Sequence, residues 1–124
     1  MKKILIVEDD VVLLSTLADN LVQEGFEIIK AEDGEKGFTT ALREHPDLIL
    51  LDILMPVMDG LTMLKKLRQN DWGEHVPVII LTNLSSPTTI SKAVESMDGF
   101  EEYLVKSDWK IEDVIARVRG KLKE

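Results

Sequence analysis

Four acidic residues stand where apolar runs end. Glu8, Asp9 and Asp10 follow directly on Ile4–Val7, and Asp52 follows directly on Leu48–Leu51. Thr82 closes a further run, Val76–Leu81, and Lys106 closes Phe100–Val105. Carboxylates brought together repel: two unit charges about 4 Å apart cost roughly 4 kcal/mol at an effective dielectric near 20. Such a cluster is relieved by keeping a carboxyl protonated or by binding a divalent cation. A hard cation takes oxygen ligands, and magnesium suits two carboxylates, a backbone carbonyl and retained waters. The Lys106 ammonium is the competing source of neutralisation. A carboxylate beside magnesium can also act as a nucleophile, and aspartate attacking a phosphoryl group gives an acyl phosphate. The barrier then falls through positioning and through stabilisation of charge on the phosphoryl oxygens. Magnesium, Lys106 and the Thr82 hydroxyl would supply that stabilisation from three directions.

This chemistry requires that the ends of separate runs meet. Five short apolar runs, Ile4–Val7, Phe26–Ala31, Leu48–Leu51, Val76–Leu81 and Phe100–Val105, alternate with longer amphipathic stretches. Each interval has room for a strand, a loop and a helix, which predicts crossover connections and a parallel sheet covered on both faces. Helical spacing recurs in Leu14, Leu17, Ala18 and Leu21, in Leu61, Leu64 and Leu67, in Ile90, Ala93, Val94 and Met97, and in Ile111, Val114, Ile115, Val118 and Leu122. Asp10, Asp33 and Asp108 are predicted caps, as is Ser86 with Pro87 behind it. A helix over 34–44 is weakened by Gly37, at about 1 kcal/mol relative to alanine, and His45-Pro46 ends it.

Runs one, three and four are almost wholly apolar, as in strands buried on both faces. Run two contains Glu27 and Lys30, and run five contains Glu101 and Glu102, so these two belong at the edges. That fits a doubly wound, flavodoxin-like α/β sheet of order 2-1-3-4-5, whose ligands bind outside the carboxyl ends of strands one and three. The order 3-2-1-4-5-6 needs a sixth strand, for which no run is found.

Composition narrows the function. The 124 residues predict one domain, residues 1–124, with ordinary globular content: 44% hydrophobic and 31% charged. Fifteen basic against 23 acidic residues leave a net charge of −8, which argues against direct nucleic-acid binding. The absence of cysteine excludes disulfides, thiolate metal sites and cysteine nucleophiles, and fits a cytoplasmic setting. No apolar run approaches the ~20 residues of a membrane span, and Met1-Lys2-Lys3 does not open a signal peptide.

The residues resemble the receiver domain of bacterial two-component response regulators. The resemblance covers the whole chain and rests on Ile4-Leu5-Ile6-Val7-Glu8-Asp9-Asp10, on Leu50-Leu51-Asp52-Ile53-Leu54-Met55-Pro56-Val57-Met58-Asp59-Gly60, on Thr82, and on Tyr103 with Lys106. It implies that Asp52 is the phosphoacceptor. Asp9 and Asp52 would bind magnesium directly, Glu8 mainly through water, and the Leu54 carbonyl would complete the protein ligands. Thr82 would hydrogen-bond the phosphoryl group, Lys106 would pair with it, and Tyr103 would be an aromatic switch turning inward as Thr82 moves. The implied donor is a phosphohistidine on a sensor histidine kinase or phosphotransfer protein. The implied output surface, for a downstream protein or a self-dimer, is the fourth helix, fifth strand and fifth helix. Asp10 reads as a helix cap beside the two metal-binding acids.

The chain departs from the family's pattern at three places. Ser107 stands where the family usually has a proline after a cis bond, and a cis bond before serine costs about 2.5–4 kcal/mol. Asn83 replaces a small residue and narrows access to the phosphoryl group. Leu54 and Leu84 are apolar where polar residues help orient attacking water. The Ser107 departure keeps open a non-phosphorylated interaction domain. An aspartate-dependent phosphohydrolase would place a second aspartate at position 54, and a flavodoxin would carry a hydroxyl- and glycine-rich loop in place of Glu8-Asp9-Asp10. His45 and His75 read as solvated loop residues, Trp72 as part of a polar loop facing a partner, and Trp109 as a packing residue or exposed contact.

Overall fold

A computed structural model of the chain describes residues 1–53, 55–82, 102–105 and 110–122. The order of elements is β1 (Lys3–Val7), α1 (Val11–Gln23), β2 (Glu27–Ala31), α2 (Gly34–Glu44), β3 (Leu48–Asp52), α3 (Gly60–Arg68), a short 3-10 turn (Trp72–Glu74), β4 (Val78–Thr82), β5 (Glu102–Val105) and a C-terminal helix (Ile111–Leu122). The strands pair in parallel in the order β2-β1-β3-β4-β5, as the residue pattern predicts. The helical stripe Ile90–Met97 and the caps Ser86 and Asp108 lie outside the described residues.

The alternation of side chains along each strand sorts the core into two layers. Leu5, Val7, Ile49, Leu51, Val78 and Ile80 face α2 and α3, where Ala41, Met63, Leu64 and Leu67 meet them. Ile4, Ile6, Leu48, Leu50, Ile79 and Leu81 face α1 and the C-terminal helix, where Leu14, Leu17, Ala18, Leu21, Val114 and Val118 meet them. Ile4–Val7 and Leu48–Leu51 are wholly buried, which explains their unbroken apolar sequence. Glu27 and Lys30 are exposed on the edge strand β2, where a charged residue hinders pairing with another chain.

Helix ends follow side-chain chemistry. Asp10 accepts from the Val12 and Leu13 N–H groups, at 3.1 and 3.2 Å, and Asp33 accepts from Lys36 N–H at 2.8 Å. At the C-terminal helix the Lys110 N–H donates to the Asp113 carboxylate at 2.8 Å, which satisfies a donor at the helix start. Helix α2 presents Gly34, Gly37, Thr40 and Ala41 inward. A Cβ at Gly37 would lie 2.8 Å from both Val7 methyls and 3.0 Å from Met63 Sδ, so the glycine that weakens the helix is what lets it lie close on β1. His45 ends α2 in the left-handed region, with φ 48°.

Candidate metal and phosphoacceptor site

Register decides which side chains meet. Val7 stands beside Leu51 in the β1–β3 ladder, so Glu8 and Asp52 leave the sheet at the same level. The Glu8 N–H donates to the Ala31 carbonyl at 3.0 Å, which extends the β1–β2 pairing by one residue and fixes the Glu8 backbone. Carboxylate oxygens of Glu8, Asp9 and Asp52 lie within 4.8 Å of one another. Glu8 and Asp52 are buried and Asp9 is exposed, so the cluster has a floor and an open side. At that spacing each pair of charges repels by roughly 3 kcal/mol at an effective dielectric near 20.

The donor set is all oxygen, carries three formal charges and opens to water on the Asp9 side, which fits a hard divalent cation that keeps part of its hydration shell. Asp10 does not join it. Its carboxylate caps α1, while its N–H donates to Glu8 Oε2 at 3.1 Å and helps orient that carboxylate.

The segment after Asp52 is tightly folded. The Met58 N–H donates to the Pro56 carbonyl at 2.7 Å across Val57, whose φ is 68°. This is a γ-turn of the strained, positive-φ kind, and a β-branched residue there is rare. Such a conformation costs of order 1–3 kcal/mol and persists only where its surroundings over-determine it. The Gly60 N–H donates to the Ile53 carbonyl at 2.8 Å, and a Cβ at Gly60 would collide with the Asp52 carbonyl. Asp59 then caps α3, accepting from Thr62 N–H at 2.8 Å. Neither the Asp59 cap nor the buried Met63 was predicted. Asp-Gly immediately before the Leu61-Leu64-Leu67 stripe was the available signal for the cap.

Geometry on this scale matches a known family. The sequence matches the response regulator receiver domain over residues 4–119. The chain belongs to that family. It is 36% identical over 124 residues to the DNA-binding dual master transcriptional regulator RpaA of Synechocystis, covering 99% of this chain and 50% of RpaA. The chain thus spans about half the length of that relative. Among solved structures, the receiver domain of the Pseudomonas aeruginosa sensor histidine kinase PA1611, with magnesium coordinated in its active-site cleft, superposes with a TM-score of 0.88 at 26% identity, over 99% of this chain and 98% of that one. Response regulator TrrA of Thermotoga maritima, in complex with magnesium and BeF, superposes with a TM-score of 0.83 at 29% identity, over 98% and 99% of the two chains.

The remaining expected site residues of this receiver domain divide. Thr82 ends β4, one step beyond Leu81, the register partner of Asp52, so its backbone reaches the carboxyl end of the sheet. Tyr103 lies in β5 opposite Ile80. Leu54 and Lys106 lie outside the described residues, as do Asn83, Leu84, Ser107, Trp109 and the predicted fourth helix of the output surface. His75 is exposed, as expected. His45 is likewise exposed, in the loop that follows α2, but its ring stacks on Trp72 at 4.5 Å with an interplanar angle of 10°, and Trp72, expected in a polar loop, packs half-buried against the α2–α3 layer. The two lie far apart in sequence, and no local pattern signals the contact. Among the described residues no helix is long and apolar enough to cross a membrane.

Proposed function

We propose that this receiver domain accepts a phosphoryl group on Asp52 and so switches the surface it offers to a partner. The observation that carries the reading is the convergence of Glu8, Asp9 and Asp52 within 4.8 Å at the carboxyl end of β1 and β3. Asp9 and Asp52 would hold magnesium directly, with Glu8 acting through water and the Leu54 carbonyl as a further ligand; the ion supplies positive charge to the phosphoryl oxygens. An Asp52 carboxylate oxygen attacks the phosphorus of a phosphohistidine. The O–P bond forms as the P–N bond breaks, and the imidazole leaves to take up a proton. Burial of Asp52 against the sheet holds the nucleophile in one orientation, which converts part of the barrier into prior positioning. Thr82 donates a hydrogen bond to the transferred group, and the Lys106 ammonium pairs with it. Tyr103 follows Thr82 inward, which changes the face built from the fourth helix, β5 and the C-terminal helix.

The donor is a sensor histidine kinase or phosphotransfer protein, and the recipient of the signal is a downstream protein or a second copy of the chain. The domain works in the cytoplasm as a signalling switch whose only chemistry is its own phosphorylation and dephosphorylation. Its acidic surface, with a net charge of −8, does not bind nucleic acid directly. Incubation with magnesium and acetyl phosphate, then with a phosphorylated kinase, followed by intact mass, tests the reading. One added phosphoryl group on the wild type and none on Asp52→Asn is expected. No adduct from either donor would favour a non-phosphorylated interaction domain.

A further inference from the structure

We propose that Gly34, in α2, is a positioning residue for the carboxylate centre, an inference that rests on the phosphoacceptor reading of that centre. The Gly34 N–H donates to the Met58 carbonyl at 3.1 Å. A Cβ on Gly34 would collide with that carbonyl oxygen and would lie 2.9 Å from the Met58 carbonyl carbon and 3.0 Å from Met58 Cβ. Two of the three nearest atoms are backbone, so no side-chain rotation makes room. The φ of Gly34 lies outside the left-handed region, so the backbone conformation does not demand glycine. What demands it is the approach of another segment.

That segment is the strained one. Met58 closes the γ-turn over Val57, and the loop it ends begins at Asp52. Val57 is 75% exposed, so its own side chain has little packing with which to hold the turn. The loop is tied at its base by the Gly60 N–H to the Ile53 carbonyl, and near its far end by Gly34. Asp33, buried beside Gly34, caps α2 through Lys36 N–H and fixes the direction of the helix start. The chain of contacts runs from α2 through Gly34 and Met58 to the γ-turn, and from there to the segment that leaves Asp52. Gly34 acts through Met58; it determines where the loop that follows the nucleophile can lie.

The test compares Gly34→Ala with Gly73→Ala. Gly73 is also buried, and a Cβ there would collide with the Leu67 carbonyl, but it sits in the 3-10 turn after α3, away from the loop. Both variants lose stability. Two readouts separate positioning from plain destabilisation. In amide hydrogen exchange without metal, Gly34→Ala speeds exchange of the Gly60 N–H relative to Gly73→Ala, when the two are compared at equal global stability. By calorimetric titration of the folded proteins, Gly34→Ala weakens magnesium binding about 10-fold, the lower end of what loss of an outer-shell support costs, and Gly73→Ala leaves it unchanged. Equal Gly60 exchange in the two variants overturns the inference, as does unchanged magnesium affinity in Gly34→Ala. A wild type indifferent to magnesium would overturn the metal reading instead, and the exchange comparison would still decide the role of Gly34.

Discussion

The two ends of the sheet handle acidic residues in opposite ways. At the amino end, carboxylates are distributed around cations and N–H groups. Lys3 Nζ lies 3.9 Å from Glu27 and 3.6 Å from Glu44 and donates to the Glu44 carbonyl at 3.3 Å, where it also complements the C-terminal dipole of α2. Arg43 meets Glu44 at 3.1 Å, and the Lys3 N–H donates to Asp47 at 2.7 Å. At the carboxyl end, Glu8, Asp9 and Asp52 are pressed against one another within 4.8 Å. Both arrangements contain three acids close to β1 or β3. The difference shows that the number of acids does not make a site. Acids spread around cations make a seam, whereas acids converging within 4.8 Å offer a cluster of oxygens that a cation can fill.

Three outcomes sharpen that contrast. The largest concerns the carboxyl end. Magnesium at about 100 times its Kd is expected to raise unfolding stability by about 2.7 kcal/mol. Asp9→Asn should abolish most of that gain while raising the metal-free stability, since it removes one of three mutually repelling charges. Denaturant titrations with and without magnesium measure both, and a metal-free loss of stability in Asp9→Asn would break the contrast. Next in size is Lys3→Met at the amino end, which should cost about 0.5–1 kcal/mol, as expected of half-exposed ion pairs. The loss should shrink in high salt and be indifferent to magnesium.

The smallest effect is a pH dependence. The hydrogen bond from Arg43, opposed by desolvation and helped by the charge of Lys3, holds the Glu44 carboxyl below its ordinary range. A lowered folded-state pKa gives stability that is present above the unfolded-state value and is lost as pH falls through the folded one. Glu44→Gln should therefore lower stability slightly at neutral pH, flatten the acid limb of the stability curve and converge on the wild type at low pH. A steeper acid limb in the variant would show that the sign is wrong.

Much of this fold was legible because its signals are local. The unbroken apolar runs of β1 and β3, the charged residues of β2, Asp10 ahead of a helical stripe and Asp33 as a cap each announce themselves within a few residues. Strand order and the placement of acids at strand ends then followed from edge and interior composition, and the register brought Glu8, Asp9 and Asp52 together. What stayed hidden depends on contacts between distant segments. A valine is the last residue that local rules would put at φ 68°, and nothing near Gly34 announces that Met58 will press on it. The stack of His45 on Trp72 joins the ends of two different segments and has no local signature either.

The alternation of residues along the strands has a consequence for how the core responds to change. Neighbours such as Ile49 and Leu50 report to different sets of helices, so the protein is in effect two hydrophobic halves sharing one wall. A core substitution on one side of the wall should therefore disturb the helices on that side and leave the packing on the other largely intact.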